Sequence, residues 1–175
     1  LTCDASCVRS ADSCYRFTDL STGTNHSCGV LSSGETFCWG TPDLLGRGDL
    51  FPSSFNAFPV LGGHTFVTVA AGSSHSCAID VAGAAYCWGT ASAALGDGSG
   101  TTQYTPVAVQ GGHLFASIST GSTLSCGITT DASLLCWGED GYGRLGNGAL
   151  GNAAAPGPVD STHLFSMVDA GGLYA

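Results

Sequence analysis

Cysteine and histidine carry most of the chemistry available to this 175-residue chain, and both recur in register. Cys28, Cys77 and Cys126 stand 49 residues apart, as do Cys38, Cys87 and Cys136. The two cysteines of each pair are 10 residues apart. Turn-like residues occupy the midpoints: Leu31-Ser32-Ser33-Gly34, Val81-Ala82-Gly83 and Thr130-Asp131-Ala132. Such pairs can form disulfides, remain thiols in a core, or bind a metal. Zinc sites usually unite two short Cys/His pairs, which this spacing does not offer. If each pair flanks a β-hairpin, its cysteines oppose one another with Cβ atoms about 4.5–5.5 Å apart, close to disulfide range. Bridges Cys28–Cys38, Cys77–Cys87 and Cys126–Cys136 are therefore expected, with free thiols and metal as the alternatives. Disulfides place a protein outside the cytosol, in the periplasm or extracellular space. Cys3, Cys7 and Cys14 form an odd set, so at least one of them pairs elsewhere, stays reduced or is modified, a lipid anchor being one such modification.

The histidines follow the same register. His64, His113 and His163 stand just before a Phe, while His26 and His75 precede Ser-Cys. Repetition puts equivalent side chains on different units, far from one another, and the third copy has Leu124 in place of the second kind. A structural role at strand ends is the expectation, with no metal site. No Ser/His/Asp or paired-carboxylate grouping escapes the register, and the absence of lysine removes the amine nucleophile. We expect no catalytic residues and no cofactor.

Three short motifs look chemical in isolation. Gly141-Tyr142-Gly143-Arg144-Leu145-Gly146 fits the dinucleotide fingerprint, but that motif needs a helix N-terminus inside a βαβ unit, and this stretch reads as a recurring turn. Arg47-Gly48-Asp49 spells an integrin-type tripeptide in which the glycine belongs to the repeat. Asn25-His26-Ser27 is a glycosylation sequon at the start of an expected strand, and it reads as structural.

The elements that would position these residues are short strands. In the middle copy, Phe66-Val67-Thr68-Val69-Ala70 reads as a strand and Gly72-Ser73-Ser74 as a turn. His75-Ser76-Cys77-Ala78-Ile79 and Ala84-Ala85-Tyr86-Cys87-Trp88 then read as an antiparallel pair. A glycine-rich loop is expected from Gly89 to Tyr104, followed by an outer strand Pro106-Val107-Ala108-Val109, where proline suits an edge. Trp39-Gly40, Trp88-Gly89 and Trp137-Gly138 repeat, as do Leu45-Gly46-Arg47-Gly48, Leu95-Gly96-Asp97-Gly98 and Leu145-Gly146-Asn147-Gly148. A period near 50 residues with no helical pattern indicates stacked units that cannot bury a core face alone.

Composition agrees with a folded, turn-rich β protein: 43% of residues are apolar, 10% are charged and 27 are glycine. A net charge of −9, with four arginines as the only fixed cations, argues against binding nucleic acid or anionic lipid. No uncharged apolar run approaches the roughly 20 residues a spanning helix needs.

The series Ser-Cys-x-Ile/Val, Cys-Trp-Gly, Leu-Gly-x-Gly and Pro-Val resembles the regulator of chromosome condensation repeat. It is most similar to the cysteine-paired version in secreted or envelope-associated bacterial proteins. The resemblance covers residues 17–175. It implies an all-β fold, a β-propeller of four-stranded antiparallel blades, about three and a half of them here, within a ring of about seven. The copies would be 17–65, 66–114, 115–164 and a partial 165–175, preceded by a non-repeat segment 1–16. Members of this family serve as a GTPase exchange factor, a β-lactamase inhibitor or adhesive modules, all through loops on the rim or face of the ring. The fold thus selects no activity. The expectation is a non-enzymatic, protein-binding accessory or scaffolding subunit of a larger envelope or extracellular assembly, with a carbohydrate-binding propeller as the alternative.

The register also predicts a cysteine just after Ala175, and hence continuation of the chain; a half-ring completed by a partner or a second copy is the alternative. One loop departs from the pattern. After the first Cys-Trp-Gly the chain runs Leu50-Phe51-Pro52-Ser53-Ser54-Phe55, whereas the matching stretches are small and weakly polar. Leu50, Phe51 and Phe55 are the expected partner-binding residues, since packing of the common blade does not require them; burial against segment 1–16 or a neighbouring blade is the alternative.

Overall fold

One copy of this repeat makes a four-stranded sheet with both faces uncovered, so copies must lie face to face to exclude water. The computed structural model describes residues 16–48, 54–159 and 162–172 and shows that arrangement three times over. The first sheet contains β1 (Phe17–Thr22), β2 (His26–Leu31), β3 (Thr36–Gly40) and β4 (Ser54–Pro59). The second contains β5 (Phe66–Ala71), β6 (His75–Asp80), β7 (Ala85–Gly89) and β8 (Gln103–Ala108). The third contains β9 (Phe115–Thr120), β10 (Leu124–Thr129), β11 (Leu134–Gly138) and β12 (Ala153–Pro158). Within each sheet the strands pair antiparallel in chain order, which makes each one a propeller blade.

Register follows the cysteines. Cys28 lies opposite Cys38, Cys77 opposite Cys87 and Cys126 opposite Cys136, with Cα atoms 4.1 Å apart in every pair. All three pairs are disulfide-bonded and buried in the middle of the blades. The hairpin between the second and third strands needs one residue in the left-handed region. Gly34 and Gly83 supply it, each at φ +86°, but the third blade uses Ala132 at φ +67°.

The core lies between blades. Val30, Leu45, Phe66, Val69 and Trp88 fill the first seam, around the disulfide of blade one. Ile79, Leu95, Phe115, Leu135 and Trp137 fill the second, around that of blade two. Each seam is also pinned by a tryptophan: Trp88 Nε1 donates to the carbonyl of Leu44 at 3.0 Å, and Trp137 Nε1 to that of Ala94 at 2.8 Å. At the inner edge the blades meet backbone to backbone. Thr24 N donates to Gly72 O at 3.3 Å, Ser73 N to Gly121 O at 3.2 Å and Ser122 N to Gly172 O at 2.9 Å. A Cβ on Gly23 would lie 1.9 Å from Gly72 O, and one on Gly72 would lie 2.2 Å from Gly121 O. Glycine is required there by the neighbouring blade, not by φ.

Two expectations need correction. The outer strand of the second blade is Gln103–Ala108, so it begins three residues before Pro106 and omits Val109. The ladder explains the shift, because Gly89 pairs with Gln103 across a bulge. The stretch after Gly89 is also more than loop, since a 3-10 helix occupies Ser92–Leu95, matching one at Pro42–Leu44. Residues 162–172 run along the third blade without forming a strand: Ala170 N donates to Ser119 Oγ as Ala71 N does to Ser21 Oγ, both at 2.9 Å.

Candidate functional site

The buried histidines begin β2 and β6, where they cross the seams. His26 Nε2 lies 2.6 Å from Ser76 Oγ, and His75 Nε2 lies 2.7 Å from Ser125 Oγ. A His–Ser pair at this distance invites a nucleophilic reading. The surroundings argue against it: both serines are enclosed, Ser125 Oγ already donates to Ala94 O at 2.9 Å, and neither histidine Nδ1 has an orienting acceptor. Burial lowers His26 to about 4, and burial with the nearby His26 lowers His75 to about 3, so both are neutral rings in the folded protein. Their role is to join blades. Leu124 replaces this polar link with an apolar side chain in the third blade, which remains fully buried.

Surface chemistry concentrates where each chain segment leaves Cys-Trp-Gly. In the first two blades a threonine follows, and its hydroxyl donates to the carbonyl of the turn before the second strand: Thr41 Oγ1 to Asn25 O and Thr90 Oγ1 to Ser74 O, each at 3.2 Å. The third blade has Glu139 there. Its backbone N–H keeps the corresponding bond, to Thr123 O at 2.9 Å, while the carboxylate stands exposed. Ser74, Thr90, Ser92, Thr123, Glu139 and Asn152 line a polar cleft of about 340 Å³ between the second and third blades.

The loop beyond Glu139 differs as well. Leu45 follows Trp39 by six positions, Leu95 follows Trp88 by seven, and Leu145 follows Trp137 by eight. The longer third loop forms no 3-10 helix. Asp140, only 2% exposed, closes it instead: Oδ1 accepts from Leu145 N and the backbone N–H donates to Asn152 Oδ1, both at 3.0 Å. Tyr142 and Leu150 project from this closed loop, 78% and 81% exposed. The Arg144 guanidinium lies over the Tyr142 ring, 5.2 Å from its centre.

Of the expected partner-binding residues, Leu50 and Phe51 lie outside the described residues, as do Cys3, Cys7, Cys14 and Asp49. Phe55 is the second residue of β4. The third-loop residues Tyr142, Leu150 and Glu139 were not picked out by sequence reasoning. The available signal was the change from threonine to glutamate at one register position and the growing distance from Trp to Leu-Gly. Among the described residues, no three His, Cys, Asp or Glu side chains gather as metal ligands, and no helix is long and apolar enough to cross a membrane.

Comparison with known proteins points one way on fold. Residues 66–92 match the model of the regulator of chromosome condensation (RCC1) repeat. No curated protein matches the chain. Among solved structures, human WBSCR16 superposes with a TM-score of 0.79 at 18% identity, over 90% of this chain and 43% of that one. Prp20p from Saccharomyces cerevisiae, described with its binding properties to Gsp1p and histones, gives 0.74 at 19%, over 87% and 41%. Yeast RCC1 (Prp20) bound to Kap60 gives 0.73 at 21%, over 90% and 38%. The chain thus spans about two fifths of the length of the structures it resembles.

Proposed function

We propose that this arc of a regulator of chromosome condensation-type β-propeller is a protein-binding module that works outside the cytosol, as an accessory or scaffolding subunit of a larger assembly. The observation that carries the reading is how the repeat's polar groups are used. His26, His75, their serine partners Ser76 and Ser125, and the indole N–H groups of Trp88 and Trp137 are spent on joining blades, which leaves recognition to the loops. Three buried disulfides support an oxidising compartment. The neighbours described with protein partners support protein as the ligand class. Sugar recognition fits less well, because the exposed Tyr142 has Arg144 against its ring and not a second aromatic.

Leu50, Phe51 and Phe55 are proposed as one anchor of the partner, on the ground that the repeat does not require them. The test is size-exclusion chromatography of the native material, followed by co-purification with F51S/F55S. The reading predicts a complex larger than the chain, from which the double variant dissociates. A protein that elutes alone from its native source and binds an oligosaccharide would contradict it.

A further inference from the structure

The turn between the second and third strands of a blade faces water at its tip, where polar residues are the norm. Blade one has Ser32 and Ser33 there and blade three has Thr130 and Asp131, but blade two has Val81 and Ala82. The turn does not ask for them: Gly83 supplies the left-handed residue and its N–H donates to Asp80 O at 3.0 Å. Two more apolar side chains stand beside this tip. Val67 is the extra residue of a bulge, since Phe66 pairs with Asp80 and Thr68 with Ile79, so no ladder partner holds it. Leu114 bridges to Ala84 on the far side of the hairpin, and a Cβ on Gly83 would lie 3.5 Å from Leu114 Cβ. Val67, Val81 and Leu114 are 52%, 69% and 50% exposed. In blade one the four matching positions are Thr18, Ser32, Ser33 and Thr65, all hydroxyls.

This exposure belongs to the middle of the arc, with both neighbouring blades in place. Val81 N donates to Thr65 O at 3.1 Å on the side of blade one, and Leu114 O accepts from Thr130 N at 2.9 Å on the side of blade three. An apolar patch that packing of the blades leaves uncovered is the kind of surface that marks an interface.

The charges around the patch select what fits. Each hairpin end carries one carboxylate: Glu35 in blade one, Asp80 in blade two and Asp131 in blade three. Glu35 and Asp131 are exposed, while Asp80 Oδ1 accepts from Ala82 N at 2.8 Å and Ala84 N at 2.9 Å within the apolar tip. Of the arginines among the described residues, Arg47 and Arg144 belong to loops that follow Cys-Trp-Gly, at the other end of the strands. Arg16 alone is at this end, where its carbonyl accepts from Ser32 N at 3.0 Å. A second copy of the chain would set carboxylates against carboxylates at a net charge of −9 each, and anionic lipid or nucleic acid is repelled for the same reason. The complement of an apolar centre with acidic neighbours is an apolar segment bordered by cations.

We propose that the tip of the middle blade, built from Val67, Val81, Ala82 and Leu114, docks a protein segment whose apolar side chains are flanked by Lys or Arg. The apolar groups cover the two valines and Leu114, and the cations reach toward Glu35 on one side and Asp131 on the other. This rests on the protein-binding reading above and gives it a contact of defined chemistry at the end of the blades opposite the Cys-Trp-Gly loops.

The test uses three labelled peptides with capped ends, Lys-Gly-Leu-Phe-Gly-Lys, Glu-Gly-Leu-Phe-Gly-Glu and Lys-Gly-Ser-Ser-Gly-Lys, and fluorescence anisotropy with the whole protein. Saturable binding is expected for the first alone, the other two being weaker by about tenfold or more. V67T/V81S/L114T, which installs the residues of blade one, should weaken it by about tenfold. E35Q/D131N, which keeps an acceptor in each turn, should weaken it by about threefold with a shallower salt dependence. Both variants keep their disulfides and melting midpoint, which separates lost docking from lost fold. Equal binding of the acidic peptide, binding unchanged by both variants, or self-association abolished by V67T/V81S/L114T would overturn the proposal. If F51S/F55S releases the native partner while V67T/V81S/L114T and E35Q/D131N do not, this site is wrong and the protein-binding reading stands. If no variant and no peptide has any effect, both fall.

Discussion

The seam between the first two blades and the loop that leaves the third use the same 49-residue pattern and treat it in opposite ways. In the seam, groups of one blade bond groups of the next, 44 to 50 positions away in sequence: Asp19 Oδ2 accepts from Val69 N at 2.8 Å, Trp88 donates to Leu44 O, and His26 bonds Ser76. The second seam repeats the tryptophan and histidine links almost atom for atom. In the third loop threonine becomes glutamate and a helical turn becomes an Asp-capped loop. The difference teaches where constraint ends. A position fixed by the neighbouring blade must recur, and a position facing water is free to take up a function.

The largest effect should come from the inner edge, where the blades meet backbone to backbone. Gly72→Ala places a methyl 2.2 Å from the carbonyl of Gly121, a backbone atom that no side-chain rotation can move aside. Overpacking of this kind is expected to cost about 3 kcal/mol or more, read by chemical denaturation. Gly157→Ala, whose nearest contact would be 4.0 Å away, is the matched control and should stay within about 0.5 kcal/mol. Equal losses at the two sites would break the distinction between seam and surface.

The histidine links give an effect that appears only in acid. His26 and His75, held at about 4 and about 3, are neutral when folded, whereas the unfolded chain protonates near 6.5. The unfolded state therefore binds more protons below pH 6.5. Stability is full above that value and drains as pH falls toward 4 and 3, by at most about 1.4 kcal/mol per pH unit for each ring. His75→Leu copies the third blade. It should change stability by about 1 kcal/mol or less at pH 7, because Ser125 keeps its bond to Ala94 O, and it should flatten the acid slope. An unchanged slope in denaturant titrations from pH 7 to 4 would show that His75 does not join the blades as described.

A smaller change runs the other way. Ala132 occupies at φ +67° the position that Gly34 and Gly83 hold at φ +86°. Ala132→Gly should stabilise by about 0.5–1 kcal/mol, through relief of left-handed strain, with a rise of a few degrees in the melting midpoint. A destabilised variant would mean that the strain is absent or that the alanine methyl packs usefully.

The blade order, the strand pairing and the three cysteine pairs were legible because each depends on residues close in sequence and repeated in phase. The 3-10 helix at Ser92–Leu95 and the early start of β8 at Gln103 were not, since small residues without periodicity carry little local preference and the ladder to Gly89 decides the outcome. Gly72 announced a turn but not the carbonyl of the next blade lying against it. The His–Ser links were equally invisible, because they join residues 50 positions apart on different blades.

The central claim is that seams carry stability and loops carry recognition. Measuring the melting midpoint and partner retention of one loop variant, F51S/F55S, against the parent protein tests it most directly. The account predicts a midpoint within about 1 °C of the parent with loss of the bound partner, as expected for residues that the common blade does not require. A midpoint lowered by several degrees with the partner still bound would place these residues in the scaffold and contradict it.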